Sequence, residues 1–253
     1  MQNVGFQLYS ARNFPPLADV FRLLARAGFS EVEGYGALYA SLNSGEAAAT
    51  KAELDRNGLA MPTAHFGLDQ LENQVDRVLE IARILGIEAI YCPYLMPEER
   101  PADAAGWRAF GERLQKASAP FRRAGLDFGW HNHDFEFSPL ADGAVPQDLI
   151  LAGGPELSWE ADIAWMVRGG ADPFAWIAKY ADRITAVHVK DIAPAGENSD
   201  EDGWADVGHG TLPWGELMTA LAATKARHFI VEHDNPNDLQ RLAERSIATI
   251  TAF

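Results

Sequence analysis

The sequence predicts an α/β fold, a (β/α)8 barrel, on three observations. Eight short β-branched or aromatic runs alternate with amphipathic stretches along 253 residues. Their starts recur at roughly 25 to 40 residues, the length of a strand, a crossover helix and two loops. The later runs end in imidazole and carboxylate side chains, which suits a barrel mouth built from many strand ends. A doubly wound open sheet is the rival, but no G-x-G-x-x-G follows the first run.

In chain order, strands are expected at residues 4–9, 31–34, 61–66, 88–93, 126–131, 157–162, 184–190 and 228–232. After the first, Leu17, Val20, Phe21, Leu24 and Ala25 keep helical spacing and stop at Gly28. After the third, Leu71, Val75, Val78, Leu79 and Ala82 do the same and stop at Gly86. Residues 107–124 and 239–250 read as similar helices, and Pro213 opens another after a Gly-rich turn. No Gly/Ser linker, low-complexity tract or charge block marks a boundary, so residues 1–253 are expected to form a single domain.

Lys plus Arg total 21 against 36 Asp plus Glu, a formal charge of −15. That field repels phosphate backbones and anionic membrane surfaces, so neither nucleic acid nor membrane is expected as a partner. Cys92 is the single cysteine, which leaves no intrachain disulfide and no cysteine-built metal site, and fits a reducing compartment. The first residues, Met1 to Phe6, enter a strand pattern without a signal-peptide pattern, and no apolar run approaches membrane-spanning length. A cytoplasmic location is the expectation.

Four strand ends carry the chemistry: His131-Asn132-His133-Asp134-Phe135-Glu136, Glu160-Ala161-Asp162, His188-Val189-Lys190-Asp191 and Glu232-His233-Asp234. Alternate residues of a strand face the interior, which pairs His131 with His133, Glu160 with Asp162, His188 with Lys190, and Glu232 with Asp234. Gln7, Glu33, His65 and Tyr91 hold comparable positions on the earlier strands and are candidate substrate contacts. Two carboxylates, one imidazole and one further Glu or His would suit a single divalent Mn, Co, Mg or Zn ion with positions left for substrate oxygens. Such an ion would polarise a carbonyl so that a neighbouring carboxylate or His removes a proton. The blander alternatives are a core histidine at His188, capped loop histidines at His131 and His133, and buried ion pairs of Asp162 and Glu232 with Lys190. His209, His228 and His233 read as loop or surface residues, and the turn at Gly208 and Gly210 as a weak phosphate signal.

The order of these ends resembles the sugar phosphate isomerase/epimerase group of the xylose-isomerase-like TIM barrel superfamily. The likeness rests on His-Asn-His-Asp-Phe-Glu-Phe on strand five, an Asp on strand six followed by Trp165, His-Val-Lys-Asp on strand seven and Val-Glu-His-Asp on strand eight. It implies a metal held by Glu, Asp, His and Glu from strands five to eight, with the Glu residues doubling as acid and base. Asp162, His188 and Glu232 carry over directly. At strand five this chain has His131 before Asn132 where relatives place Glu, so the ligand is Glu136 folding back or His131 itself. Glu136 restores the three-carboxylate set and leaves His131, with Trp165, to substrate and His133, with Lys190, to catalysis. Trp165 stands where many epimerases have His. The resemblance thus implies an isomerase or epimerase acting on a sugar, keto-sugar or sugar phosphate, with a lyase or dehydratase acting on keto-glycosides or cyclitols as the alternative. Further alternatives are a non-catalytic sugar-binding barrel and an endonuclease IV-like repair enzyme, against which the charge and the few strand-end histidines argue. A homo-oligomer is also in keeping with the resemblance.

Overall fold

The computed structural model describes residues 3–253; the first two residues of the expected domain, Met1 and Gln2, lie outside the described residues. Eight parallel strands close into a barrel: β1 (Asn3–Gln7), β2 (Glu31–Gly34), β3 (Ala60–His65), β4 (Ala89–Cys92), β5 (Asp127–His131), β6 (Ser158–Asp162), β7 (Ile184–Val189) and, closing the ring against β1, β10 (His228–Val231). Two short antiparallel strands, β8 (Asp191–Ile192) and β9 (Trp204–Ala205), form a hairpin after β7. The eight expected strands are the eight barrel strands. The hairpin escapes sequence reading because two-residue strands carry no periodicity.

Strand parity sorts the side chains into two cores. Outward residues such as Phe6, Val32, Trp130, Trp159 and Val187 pack under the helices in one large apolar cluster. Trp130 meets Phe110 of the helix Ala104–Arg123 edge to face at 5.2 Å, an arrangement that aromatic quadrupoles favour. Inward residues stack in layers. Ala89, Tyr91, Ala186 and Ile230 make an apolar plug, and the polar strand ends lie above it. At the opposite end His228 is buried and faces Glu31 at 2.8 Å, so it is an interior residue and not the surface one expected.

The helix stops at Gly28 and Gly86 have φ of 110° and 80°, a left-handed geometry that glycine adopts without a Cβ penalty. The expected helix through Leu71 and Ala82 is two, Leu68–Asn73 and Val75–Leu85, broken at Gln74. The helix Ser44–Arg56 has only Ala47 and Leu54 buried, too sparse an apolar face to read as periodic. None of the described helices is long and apolar enough to cross a membrane.

Candidate metal centre

The register of the barrel brings four strand ends to one level. Asp162 of β6 lies beside His188 of β7, and His131 of β5 beside Glu160 of β6. His131, Asp162, His188 and Glu232 offer ligand atoms that all lie within 4.8 Å of one another. A second group, His65, His131, Glu160 and His188, meets the same criterion and shares two imidazoles with the first. All six side chains are buried.

His188 joins the two groups. Its Nδ1 lies 3.1 Å from Glu232 Oε2 and 3.9 Å from Asp162 Oδ2, while Nε2 lies 2.7 Å from Glu33 Oε1. Glu33 also accepts from Gln7 Nε2 at 2.7 Å. Below, Glu160 Oε2 receives His65 Nε2 at 2.5 Å and His131 Nδ1 at 3.0 Å. The second ring nitrogen of a metal-binding histidine usually bonds a carboxylate that fixes its tautomer, and Glu33 is placed to do this for His188.

The electrostatics are those of crowded anions. Burial disfavours the His188 cation, yet Glu160, Glu232 and Glu33 lift its pKa well above the usual imidazole range. Burial and the neighbouring Glu33 carboxylate raise Glu160 to about 7. His131 is driven well below its ordinary value by burial and by His188 and His65, and His133 falls to about 3 through burial and Lys190. Both are therefore neutral acceptors near pH 7. Five buried polar atoms in this region lack a hydrogen-bond partner: Glu33 Oε2, Glu160 Oε1, Asp162 Oδ2 and His133 Nδ1, and one donor, Trp165 Nε1. Orphaned buried acceptors are rare and costly. Their collection beside excess negative charge fits a divalent cation held by mixed imidazole and carboxylate donors.

Local structure explains why each side chain points where it does. Asp162 caps the helix Ile163–Arg168, with Oδ1 accepting from the Trp165 amide at 2.8 Å, which leaves Oδ2 free toward His188. Asn132 holds the turn by donating to the Asp162 carbonyl at 3.0 Å, while its Oδ1 accepts from the Asp162 amide. Lys190 is fully buried, donating to Asp234 Oδ1 at 2.8 Å and Glu232 Oε2 at 3.1 Å, with its ammonium over Trp204 and Trp165. The ion pairs read as the bland alternative are thus present, at 3.1 Å for Glu232 and 3.9 Å for Asp162, and coexist with the convergence.

A cavity of about 400 Å³ opens above, and His65, His131, His133, Trp165 and Glu232 line it. Several expected site residues do not. Glu136 is buried but turned away: Oε1 accepts from the Trp130 indole and Oε2 from the His133 amide, both at 3.0 Å, and it belongs to neither ligand group. The strand-five member of both ligand-capable groups is His131, while Glu136, in the short 3-10 turn Phe135–Phe137, bonds the outward Trp130. Tyr91 lies in the plug, its hydroxyl 2.8 Å from Thr185. Gln7, Glu33 and Lys190, like Asp162 and His188, sit behind the cavity wall, where Gln7 bonds Glu33 and Lys190 bonds Asp234. Parity in the sequence placed Glu160 and Asp234 facing inward beside Asp162 and Glu232, but gave neither a role in the site. It also missed as cavity residues Tyr9, which falls in the expected strand 4–9 but sits in the 3-10 turn Leu8–Ala11, and Tyr35 and Tyr94, which line the cavity from loops that carry no periodic signal. His233, expected at the surface, is buried, with Nδ1 accepting from the Asn235 amide at 3.1 Å.

Residues 21–253 match the family model of the xylose isomerase-like TIM barrel. The chain belongs to this family. Among solved structures, this xylose isomerase-like barrel is similar to a sugar phosphate isomerase/epimerase from Parabacteroides distasonis, at TM-score 0.80 and 20% identity over 99% of this chain and 94% of that one. It is also similar to the probable 3-DHS dehydratase AsbF from Bacillus anthracis, at TM-score 0.78 and 14% identity over 99% of both chains. A third is 3-keto-D-glucoside 4-epimerase YcjR from E. coli, at TM-score 0.73 and 19% identity over the full length of both. A search of curated proteins found no match.

Proposed function

We propose that this barrel is a divalent-metal-dependent enzyme that moves a proton next to a carbonyl of a carbohydrate, as an isomerase or epimerase. The observation that carries the reading is the convergence of His131, Asp162, His188 and Glu232 from four adjacent strand ends, two of which, His131 and Glu232, also line the cavity. When bound, a divalent ion supplies Lewis-acid polarisation of the substrate carbonyl. Glu232 is the base this reading assigns. It lines the cavity, and although burial opposes ionisation, Lys190 and His188 hold its pKa well below the usual carboxylate range, so it stays ionised. Neutral His133, with a free Nδ1, is placed to accept a substrate hydroxyl or pass on a proton. Lys190, held cationic by Asp234, Glu232 and Asp162 against its burial, is a fixed charge behind the wall that favours developing oxyanion character.

One observation favours a lyase or dehydratase as the second reading. With His131 at the strand-five position, Trp165 after Asp162 and Glu136 turned onto Trp130, the two-carboxylate arrangement of reversible epimerisation is incomplete. A single carboxylate base with an imidazole beside it suits proton removal followed by loss of a neighbouring hydroxyl.

Solvent-exchange turnover separates the outcomes. Metal-loaded protein incubated in D2O with ketoses, keto-glycosides and inososes is expected to place deuterium at the carbon next to the carbonyl. A product of unchanged formula apart from the added deuterium, with an inverted stereocentre or a moved carbonyl, identifies isomerase or epimerase chemistry, and loss of water identifies the lyase. Products formed without any C–H exchange in wild type, or unchanged exchange in both Glu232→Gln and Asp162→Asn, would contradict the assignment.

A further inference from the structure

We infer that the substrate is an uncharged polyhydroxy carbonyl compound that carries no phosphate group. This rests on the metal-dependent reading above and names the substrate class of the same site. Three independent features of the mouth carry it.

The cavity wall is aromatic and acidic. Tyr9, Tyr35, Tyr94 and Trp165 contribute ring faces and edges, Glu232 and Asp234 contribute carboxylates, and no Lys or Arg lines it among the described residues. Five buried or partly buried carboxylates, Glu33, Glu160, Asp162, Glu232 and Asp234, gather here against one ammonium, that of Lys190. A divalent ion and one imidazolium would still leave no positive surplus to meet a dianionic ester. Like-charge juxtaposition in such a site costs several kcal/mol, whereas the C–H faces of an uncharged sugar pack well on aromatic walls.

The guanidinium groups near the rim are already engaged. Arg12 lies 3.9 Å over the Tyr9 ring and donates to the Asp234 carbonyl at 2.6 Å. Arg100 lies 3.5 Å over Phe135 and donates to the Leu95 carbonyl and the Tyr94 hydroxyl. Arg168 lies 3.1 Å over Trp204 and donates to the Asp202 carbonyl at 2.8 Å. Each is stacked on an aromatic ring that forms or backs the mouth, and none of the three lines the cavity.

The turn that most resembled a phosphate cradle is filled by the protein itself. Barrels commonly bind phosphate on backbone amides of the loops after their seventh and eighth strands. Here the carboxylate of Asp191 takes that place, with Oδ2 accepting from Gly208 at 2.9 Å and Gly210 at 3.3 Å, and Oδ1 from Ile192 at 2.9 Å and Leu212 at 3.1 Å. The Gly-rich turn is thus a structural anchor for the β8–β9 hairpin, and its amides have no capacity left for an anionic ligand.

Calorimetric titration of the metal-loaded protein with matched pairs tests this: D-fructose against D-fructose 6-phosphate, a 3-keto-glucoside against its 6-phosphate, and inorganic phosphate alone. The uncharged member of at least one pair is expected to bind, with its ester at least about tenfold weaker and inorganic phosphate not competing. An ester that binds as tightly as its parent or tighter would overturn the inference, as would metal-loaded protein that binds no uncharged member of the panel. The same sample is assayed for metal. Protein that takes up no ion yet binds the uncharged sugars would sink the metal-dependent reading and leave this one standing.

Discussion

His131 and Glu136 show how one residue's neighbours decide its role. Parity turns His131 inward and Trp130 outward, and the buried Trp130 indole N–H needs an acceptor, which Glu136 supplies at 3.0 Å. Charge alone makes Glu136 attractive as a ligand; the competing demand of a buried indole six residues before it leaves no mark in the charge pattern. Burial raises Glu136 to about 8 from 4.5, outweighing the amide and indole donors that lower it. The folded protein therefore keeps this proton between pH 4.5 and about 8 while the unfolded chain releases it. Its contribution to stability accordingly falls as pH rises through that window. Glu136→Gln is expected to retain bound metal and to flatten the decline of the thermal midpoint between pH 5 and about 8. Loss of the ion in this variant would return Glu136 to the ligand set.

The elements were legible where burial is periodic and obscure where it is not. All eight barrel strands follow from β-branched runs, and the helices ending at Gly28 and Gly86 follow from 3.6-residue spacing with a left-handed stop. Pro146–Gly153 and Pro173–Lys179 are short helices that begin at proline and carry too few turns for a pattern to emerge. Strand-end chemistry was legible for the same reason as the strands, since parity alone aligns His131, Glu160, Asp162, His188 and Glu232 inward. The close approach of strands was not, because a glycine in a strand does not reveal its neighbour. At Gly129 of β5 an added Cβ would lie 2.3 Å from the Ser158 carbonyl oxygen and 2.9 Å from Tyr91. Gly129→Ala is expected to lower stability by about 2–3 kcal/mol through strand displacement, read as a shift in the denaturation midpoint. An unshifted midpoint would mean that β5 and β6 separate freely, which their shared site register would not allow.

At the scale of the whole barrel, the candidate centre ties together β5, β6, β7 and β10, half of the closed sheet. An ion bound only by the folded form stabilises it in proportion to the logarithm of its concentration, by about 2.7 kcal/mol at a hundredfold excess over Kd. The thermal midpoint is therefore expected to rise with Mn, Co, Mg or Zn and to fall on chelation, and Asp162→Asn is expected to remove most of that dependence while the barrel still folds. Five carboxylates, Glu33, Glu160, Asp162, Glu232 and Asp234, gather at the mouth against the one ammonium of Lys190, which makes a cation the natural counter-charge there. The measurement that tests this most directly is the metal content per chain of purified, metal-equilibrated protein, taken in parallel for wild type, Asp162→Asn and Glu232→Gln. About one ion per wild-type chain is expected, with a clear loss in both variants and unchanged secondary structure. No ion in wild type, or full occupancy in both variants, would contradict it and make the convergent histidines and carboxylates a structural network.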